Sequence, residues 1–391
     1  MKPFLPPVPV LPEQYDTLVA LAGRCLDQCR TRAIDGTVLF RPDGSGNYDA
    51  MWTRDFAYMV EGAGALLDPA EILAAIDYLL AAQREDGAIP DRRQADGTPV
   101  YLAGPVDRPL GESCPTDNPP FIVKAMAGYV RITGDHAAFL ARRAALYRAM
   151  ESVPLSEDGL VQVDPNRPHS SYGFVDCVAQ TGNVLFGSLL YWEGCQHLAK
   201  LCARAEYHDE AHEWYEQAEH TSRRLGDLYD EEFGMFRAAS VDCRQLDLWG
   251  SLYACVIRVA TKTQAHLVAD FFRSAWDMCV YQGHLRHLVR GEYWDRLLAE
   301  VPRNAYQNGG YWAVPVGWLA QTIHLSEPDV ARELIAEVVE QMRDRGVYEW
   351  IDSESGHVPG YVASVANVLG AVQSSRKLAR GNSPASAPHP Q

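Results

Sequence analysis

The chain has no apolar run long enough to cross a bilayer, so it contains no candidate transmembrane helix. Positive charge is also scarce. Its 35 Lys and Arg residues face 51 Asp and Glu, for a formal net charge of −16. That balance disfavours binding to a nucleic-acid backbone or an anionic membrane, and neither is expected as a partner. The nine cysteines include no Cys-x-x-Cys pair. An odd, scattered set argues against a disulfide framework and for reduced thiols in a cytoplasmic protein. No glycine-rich phosphate cradle and no metal-ligand spacing is found, so no metal or organic cofactor is expected. At the N-terminus, "MKPFLPPVPVLP" has five prolines in twelve residues, which break any signal-like apolar segment. The segment from Arg380 onward is poor in apolar residues and is expected to be disordered.

What the chain does have is a period. Apolar runs open near Arg54, Asp117, Thr181, Gln245, Tyr311 and Tyr361, at steps of 63, 64, 64, 66 and 50 residues. Steps this regular mark a repeated supersecondary unit. Each run is rich in Gly, Ala and Ser and apolar around most of its circumference, as suits a helix buried on all sides. Between the runs lie amphipathic segments, at 14–32, 69–83, 136–150, 205–224, 264–279 and in "EPDVARELIAEVVEQMRDR". In the last of these Val330, Leu334, Val338 and Met342 form one stripe, with Arg332, Glu333, Glu337 and Glu340 facing away. Outer and inner helices thus alternate six times. The pattern predicts an all-α fold, an (α/α)6 barrel, as one domain over residues 1–379. An open solenoid would repeat in the same way, but six units of this length suit closure.

Long segments, 85–116, 151–180, 225–244 and 280–309, all lead into the N-terminal ends of inner helices. They should crowd one face of the barrel, where the helix dipoles are positive and where function tends to reside. The inner-helix starts at that mouth read "AMWTRDF", "CPTDNPPF", "VAQTGN", "RQLDLWG" and "YQNGGYW", with "VYEWIDSESGHVPGY" before the last. Trp52, Phe121, Trp249, Tyr306 and Trp312 offer flat apolar faces, while Arg54, Asp55, Gln307 and Asn308 offer hydrogen bonds. A pyranose needs both kinds of surface, so a small carbohydrate is the expected ligand.

The ordered set "MWTRDF", "PTD" opening a helix, "YQNGGYW" and "YEWID" resembles the six-hairpin glycoside hydrolases. The nearest resemblance is to processing α-glucosidases and glucosylglycerate or mannosylglycerate hydrolases, with the related trehalases and alkaline/neutral invertases, and it spans residues 50 to 375. It implies an inverting, exo-acting hydrolase of a small α-glucoside. It also implies that Asp117 is the general acid, Glu349 the general base (with Asp352 and Glu354 as substitutes), and Arg54-Asp55 the grip on the terminal sugar. In the family, Gly and aromatic residues stand beside the acid, whereas here Asn118-Pro119-Pro120 follows Asp117.

Competing readings accompany these residues. Asp117 is well placed as a plain helix N-cap before prolines in the first turn. Arg54-Asp55 also fits a buried structural ion pair. His284 and His287 fall in a mouth loop and are candidate substrate contacts, whereas His208 and His212 face solvent from an outer helix. A sugar 2-epimerase using His284, His287 and His357, a sugar phosphorylase, and a non-catalytic carbohydrate-binding scaffold are the alternatives. A homo-oligomer is compatible with all of them.

Overall fold

The computed structural model describes residues 5–375. The expected disordered tail, 380–391, lies outside the described residues. The helices, in chain order, are α1 (Pro12–Cys29), α2 (Thr53–Ala63), α3 (Pro69–Leu80), α4 (Asn118–Thr133) and α5 (His136–Glu151). They continue as α6 (Leu185–Arg204), α7 (His208–Leu225), α8 (Leu248–Val256), α9 (Lys262–Ser274) and the single turn α10 (Trp276–Cys279). The last three are α11 (Val316–Ile323), α12 (Pro328–Arg345) and α13 (Val362–Gly370).

Six of these helices close a ring. α2 packs on α4, α4 on α6, α6 on α8, α8 on α11, α11 on α13, and α13 returns to α2. Every residue of α8 and α11 is buried, as a helix walled on all sides requires. The outer helices bury one stripe each. In α7 it is Trp214, Ala218, Thr221 and Leu225, and in α12 it includes Leu334, Val338 and Met342. The starts of the outer helices follow from capping chemistry: Asp68 accepts from Ala70 N–H, and Thr261 forms a capping box with Gln264. The chain is therefore the (α/α)6 barrel that the period implied.

Ring closure depends on small residues. A Cβ at Gly62 of α2 would lie 2.0 Å from the Ala366 carbonyl oxygen of α13. One at Gly370 would lie 2.9 Å from Gly62 Cα. These two inner helices touch backbone to backbone. Beside them, Val8–Val10 pairs in parallel with Val372–Ser374, tying the two ends of the described chain together.

The mouth differs from the purely helical expectation in one respect. Its long segments are stitched into short sheets. One joins Ala50–Trp52, Arg92–Gln94 and Pro99–Val100. A five-stranded sheet joins Val280–Tyr281, His284–Leu285, Tyr311–Trp312, Tyr348–Ile351 and Gly356–Pro359. Strands of two to four residues are too short to display alternation in sequence.

Replacing Gly62 with Ala forces a methyl into the Ala366 backbone. Overpacking of this kind should lower unfolding free energy by about 1–3 kcal/mol in urea titrations, with the mouth-lining side chains unaltered.

Candidate active site

The site is built on Arg54, the second residue of α2. Its guanidinium is buried and lies 3.6 Å from Asp55, 3.8 Å from Asp91 and 3.6 Å from Asp117. It also rests over the Phe174 ring, 5.2 Å from its centre. Gly173 passes directly against it: a Cβ there would sit 1.4 Å from Arg54 Nη1. No other residue fits at that position without moving the arginine.

Asp117, at the start of α4, neither caps the helix nor faces the open space above it. Its side chain makes no cap hydrogen bond. It is fully buried behind Arg54, and its Oδ2 accepts from the Gly173 N–H at 2.8 Å. The carboxylate that emerges on the other side of this turn is Asp176, in "YGFVDCV". Gln307 clamps it: Nε2 donates to Asp176 Oδ1 at 2.8 Å and to Gly173 O at 3.3 Å, while Oε1 accepts from Cys177 N–H at 2.9 Å. Gln307 therefore holds the turn and the carboxylate together.

Glu349 comes from the strand Tyr348–Ile351, and its Oε1 accepts from the Tyr48 hydroxyl at 2.8 Å. Asp55 is held from the same side, accepting from the Tyr361 hydroxyl at 2.5 Å. Tyr48 packs edge-on against Trp52 with ring centres 4.9 Å apart.

These groups surround a cavity of about 940 Å³. Trp52, Arg54, Asp55, Tyr306 and Glu349, all expected at the site, line it. Tyr48, Arg92, Arg108, Phe174, Asp176 and Tyr361 line it as well and were not anticipated. Asp117, Phe121, Trp249, Gln307, Asn308, Trp312 and His284 do not line it. Phe121 is core, stacked edge-on to Tyr58. Trp249 donates its indole N–H to Arg286 O and stacks on His287 at 3.9 Å. Trp312 lies under Tyr306, donating to its carbonyl, while Asn308 accepts from Trp294 N–H and donates to Val301 O. His284 bonds Gln282 O and borders a separate, smaller cavity beside Tyr348 and Asp352. Asp352 is paired with His357 at 2.9 Å and Glu354 is exposed, and neither lines the larger cavity.

The unanticipated carboxylate Asp176 had a visible signal. Gly173-Phe174 stands before Asp176, the Gly-and-aromatic company absent beside Asp117, and it occurs in a long mouth loop. Arg92 and Tyr361 carried no such mark. They reach the cavity only because sheet pairing and α13 place them there.

Charge balance decides protonation. Asp55, Asp91, Asp117, Asp176 and Glu349 share one region with the guanidinium groups of Arg54 and Arg92, and Arg108 lines the same cavity. Burial pushes every one of these carboxyls upward, Asp117 to about 6 and Glu349 to about 8. For Glu349 the charges of Asp55 and Asp176 add to burial, while the Tyr48 hydrogen bond pulls the other way. Near neutrality Glu349 therefore retains its proton.

No family model and no curated protein sequence matches the chain. Among solved structures it is similar to a GH63 mannosylglycerate hydrolase from Thermus thermophilus in complex with glucose. That match has 14% identity and a TM-score of 0.66, and covers 90% of this chain and 99% of the other. The same enzyme with Tris and D-glycerate gives 16% identity and a TM-score of 0.62, at the same coverage. A rhamnosidase from Klebsiella oxytoca with rhamnose bound gives 13% identity and a TM-score of 0.65, covering 93% of this chain and 64% of that one. These likenesses establish the six-hairpin (α/α)6 barrel.

The raised carboxyls have a stability signature. Glu349 binds its proton up to about 8 when folded, against 4.5 for the unconstrained group, so the folded state holds more protons across that interval. Stability attached to it is present below pH 4.5 and is lost as pH rises through 8. Buried His284 and His287, held at about 4 and about 3, oppose this trend only below the unfolded histidine value of 6.5. Unfolding free energy should therefore fall between pH 6.5 and 8 by roughly 1 kcal/mol per pH unit. In urea titrations Glu349→Gln should flatten that slope.

Proposed function

We propose that the chain is an inverting, exo-acting glycoside hydrolase of small α-glucosides, with Asp176 as general acid and Glu349 as general base. The observation that carries this reading is their placement on one polar, aromatic-walled cavity. In the ring order, the segments that enter α6 and α13 stand opposite each other. Asp176 and Glu349 therefore approach a bound sugar from opposing walls, with Arg54-Asp55 of α2 to one side. Asp117, expected to be the acid, becomes a support: it holds Gly173 and neutralises Arg54.

The steps follow from these groups. Trp52, Tyr48 and Phe174 offer apolar faces to the terminal ring, while Asp55 and Arg54 offer hydrogen bonds to its hydroxyls. Asp176 gives its proton to the departing glycosidic oxygen. Glu349, in its ionised form and with one oxygen held by Tyr48, takes a proton from the attacking water through the other. The mannosylglycerate hydrolase and rhamnosidase neighbours were solved with sugars bound, which supports a monosaccharide at this position. Arg92 and Arg108 on the same wall favour a leaving group that carries a carboxylate, as in a glucosylglycerate. The histidines that an epimerase would use, His284, His287 and His357, do not line the cavity, which favours hydrolysis.

Asp176→Asn and Glu349→Gln should each reduce kcat by about 10²–10⁴ on a cleaved glycoside, with unchanged circular dichroism. Asp117→Asn should keep turnover within roughly tenfold of the parent enzyme. If Asp117→Asn is instead as damaging as Glu349→Gln and Asp176→Asn is benign, the acid has been misassigned. Proton NMR of the first-formed sugar should show the anomer opposite to the substrate's.

Arg108→Ala should raise KM about tenfold or more for glucosylglycerate while leaving KM for a neutral α-glucoside nearly unchanged. Equal KM shifts for both substrates would remove the acidic leaving group from the proposal.

A further inference from the structure

The barrel has a second cavity, at the end opposite the mouth, where the C-terminal halves of the inner helices converge. Its volume is about 430 Å³. At its floor, Lys124 of α4 is 3% exposed and donates to Glu61 Oε1 at 2.8 Å, Glu193 Oε1 at 2.9 Å and the Tyr253 hydroxyl at 2.9 Å. Glu193 in turn accepts from Tyr253 at 2.5 Å and lies 3.5 Å from His197. The sugar chemistry proposed above uses none of these groups.

Two physical points make this more than a structural network. A buried ion pair seldom stabilises a fold beyond what well-packed apolar residues provide, so stability alone is a poor reason for it. The charge around it is also unlike that of the whole chain. Arg131, Lys200 and Arg204 line the same cavity, which with Lys124 sets four cations against Glu61 and Glu193, in a chain of net charge −16. Arg131 satisfies carbonyl groups at the end of α2, donating to Glu61 O at 2.7 Å. Neutralising helix ends does not explain Lys124, which donates to two carboxylates and a hydroxyl. The wall beside them is apolar and aromatic, with Trp318 and Tyr253 rings 4.8 Å apart.

We propose that this cavity binds a small organic anion: a phosphate or carboxylate held at the Arg131, Lys200 and Arg204 side, on a ring that covers Tyr253 and Trp318. The site is connected to the sugar cavity by direct contacts. Lys124 Nζ lies 5.8 Å from the centre of the Tyr58 ring, and the Tyr58 hydroxyl bonds that of Tyr172 at 3.0 Å. Tyr172 precedes Gly173, the residue against Arg54. The proposal stands apart from the hydrolase reading, because it concerns binding at a distant site.

Isothermal titration calorimetry of the full chain with phenyl phosphate, benzoate and inorganic phosphate tests it. Phenyl phosphate or benzoate should bind saturably with one site per chain, and at least about tenfold tighter than inorganic phosphate. The double variant Lys200→Glu/Arg204→Glu should weaken the tighter of the two at least about tenfold, with an unchanged melting temperature and unchanged turnover. A control reversal on an outer helix, Arg273→Glu, should leave affinity as it was, and so should Arg108→Ala in the sugar cavity. Absence of heat with all three probes would overturn the site. Loss of binding in Arg108→Ala with retention in Lys200→Glu/Arg204→Glu would also overturn it, by moving the anion to the mouth. Preference for phenyl phosphate over benzoate, or the reverse, identifies the anionic group.

Discussion

A single buried guanidinium organises this protein. Arg54 enters α2 at its second residue, where the chain is already committed to the barrel wall, and its charge has to be balanced there. Three carboxylates do so at 3.6 to 3.8 Å, and each comes from a different part of the chain: α2 itself, the loop after α3, and the start of α4. Taking such a charge from water costs several kcal/mol, so the guanidinium is buried only where carboxylates meet it. The same demand shapes the backbone, since Gly173 passes over the guanidinium where no Cβ fits. The turn that follows carries Asp176 into the cavity. The placement of Asp176 is thus a consequence of how one arginine is buried.

The second constraint is electrostatic excess. Burial outweighs the nearby guanidinium groups for five neighbouring carboxyls, so the region holds protons that exposed acids would have released. General acid catalysis needs such a proton, and here it arises from crowding and burial without any special donor. Tyr48 works in the opposite sense, favouring the ionised form of Glu349. Gln307 acts on Asp176 in the same sense, so each of the two proposed catalytic carboxyls is raised by burial and drawn back by one held hydrogen bond.

The barrel was legible because its signals are local and repeated. Glycine- and alanine-rich runs at steps near 64 residues marked the inner helices, and amphipathic stripes with caps marked the outer ones. Observed inner helices begin at Thr53, Asn118, Leu185, Leu248, Val316 and Val362, within five residues of the positions the period suggested. Glu349 and Arg54-Asp55 were recognisable through their motifs. Asp117 lies off the cavity, because position at a helix mouth does not say which way a side chain faces. Its αR backbone turns it behind Arg54, into the wall. The aromatics Phe121, Trp249 and Trp312 were misread for the same reason, since an inner-helix start presents some residues to the mouth and others to the core.

The sequence by itself determined the twelve-helix alternation, the face that carries the long loops, and the acidic and aromatic character of that face. These follow from hydrophobic period, capping and composition, which act over a few turns of chain. Only the tertiary structure decided which carboxylates line the cavity with Glu349, that Gln307 is a clamp, and that Lys124 is buried with two glutamates at the far end. Those outcomes depend on ring closure, which brings together side chains from 63 to 131 residues apart. The physical reason is burial: a charged group takes whatever partner the closed barrel offers it, and that partner is not written beside it in the chain.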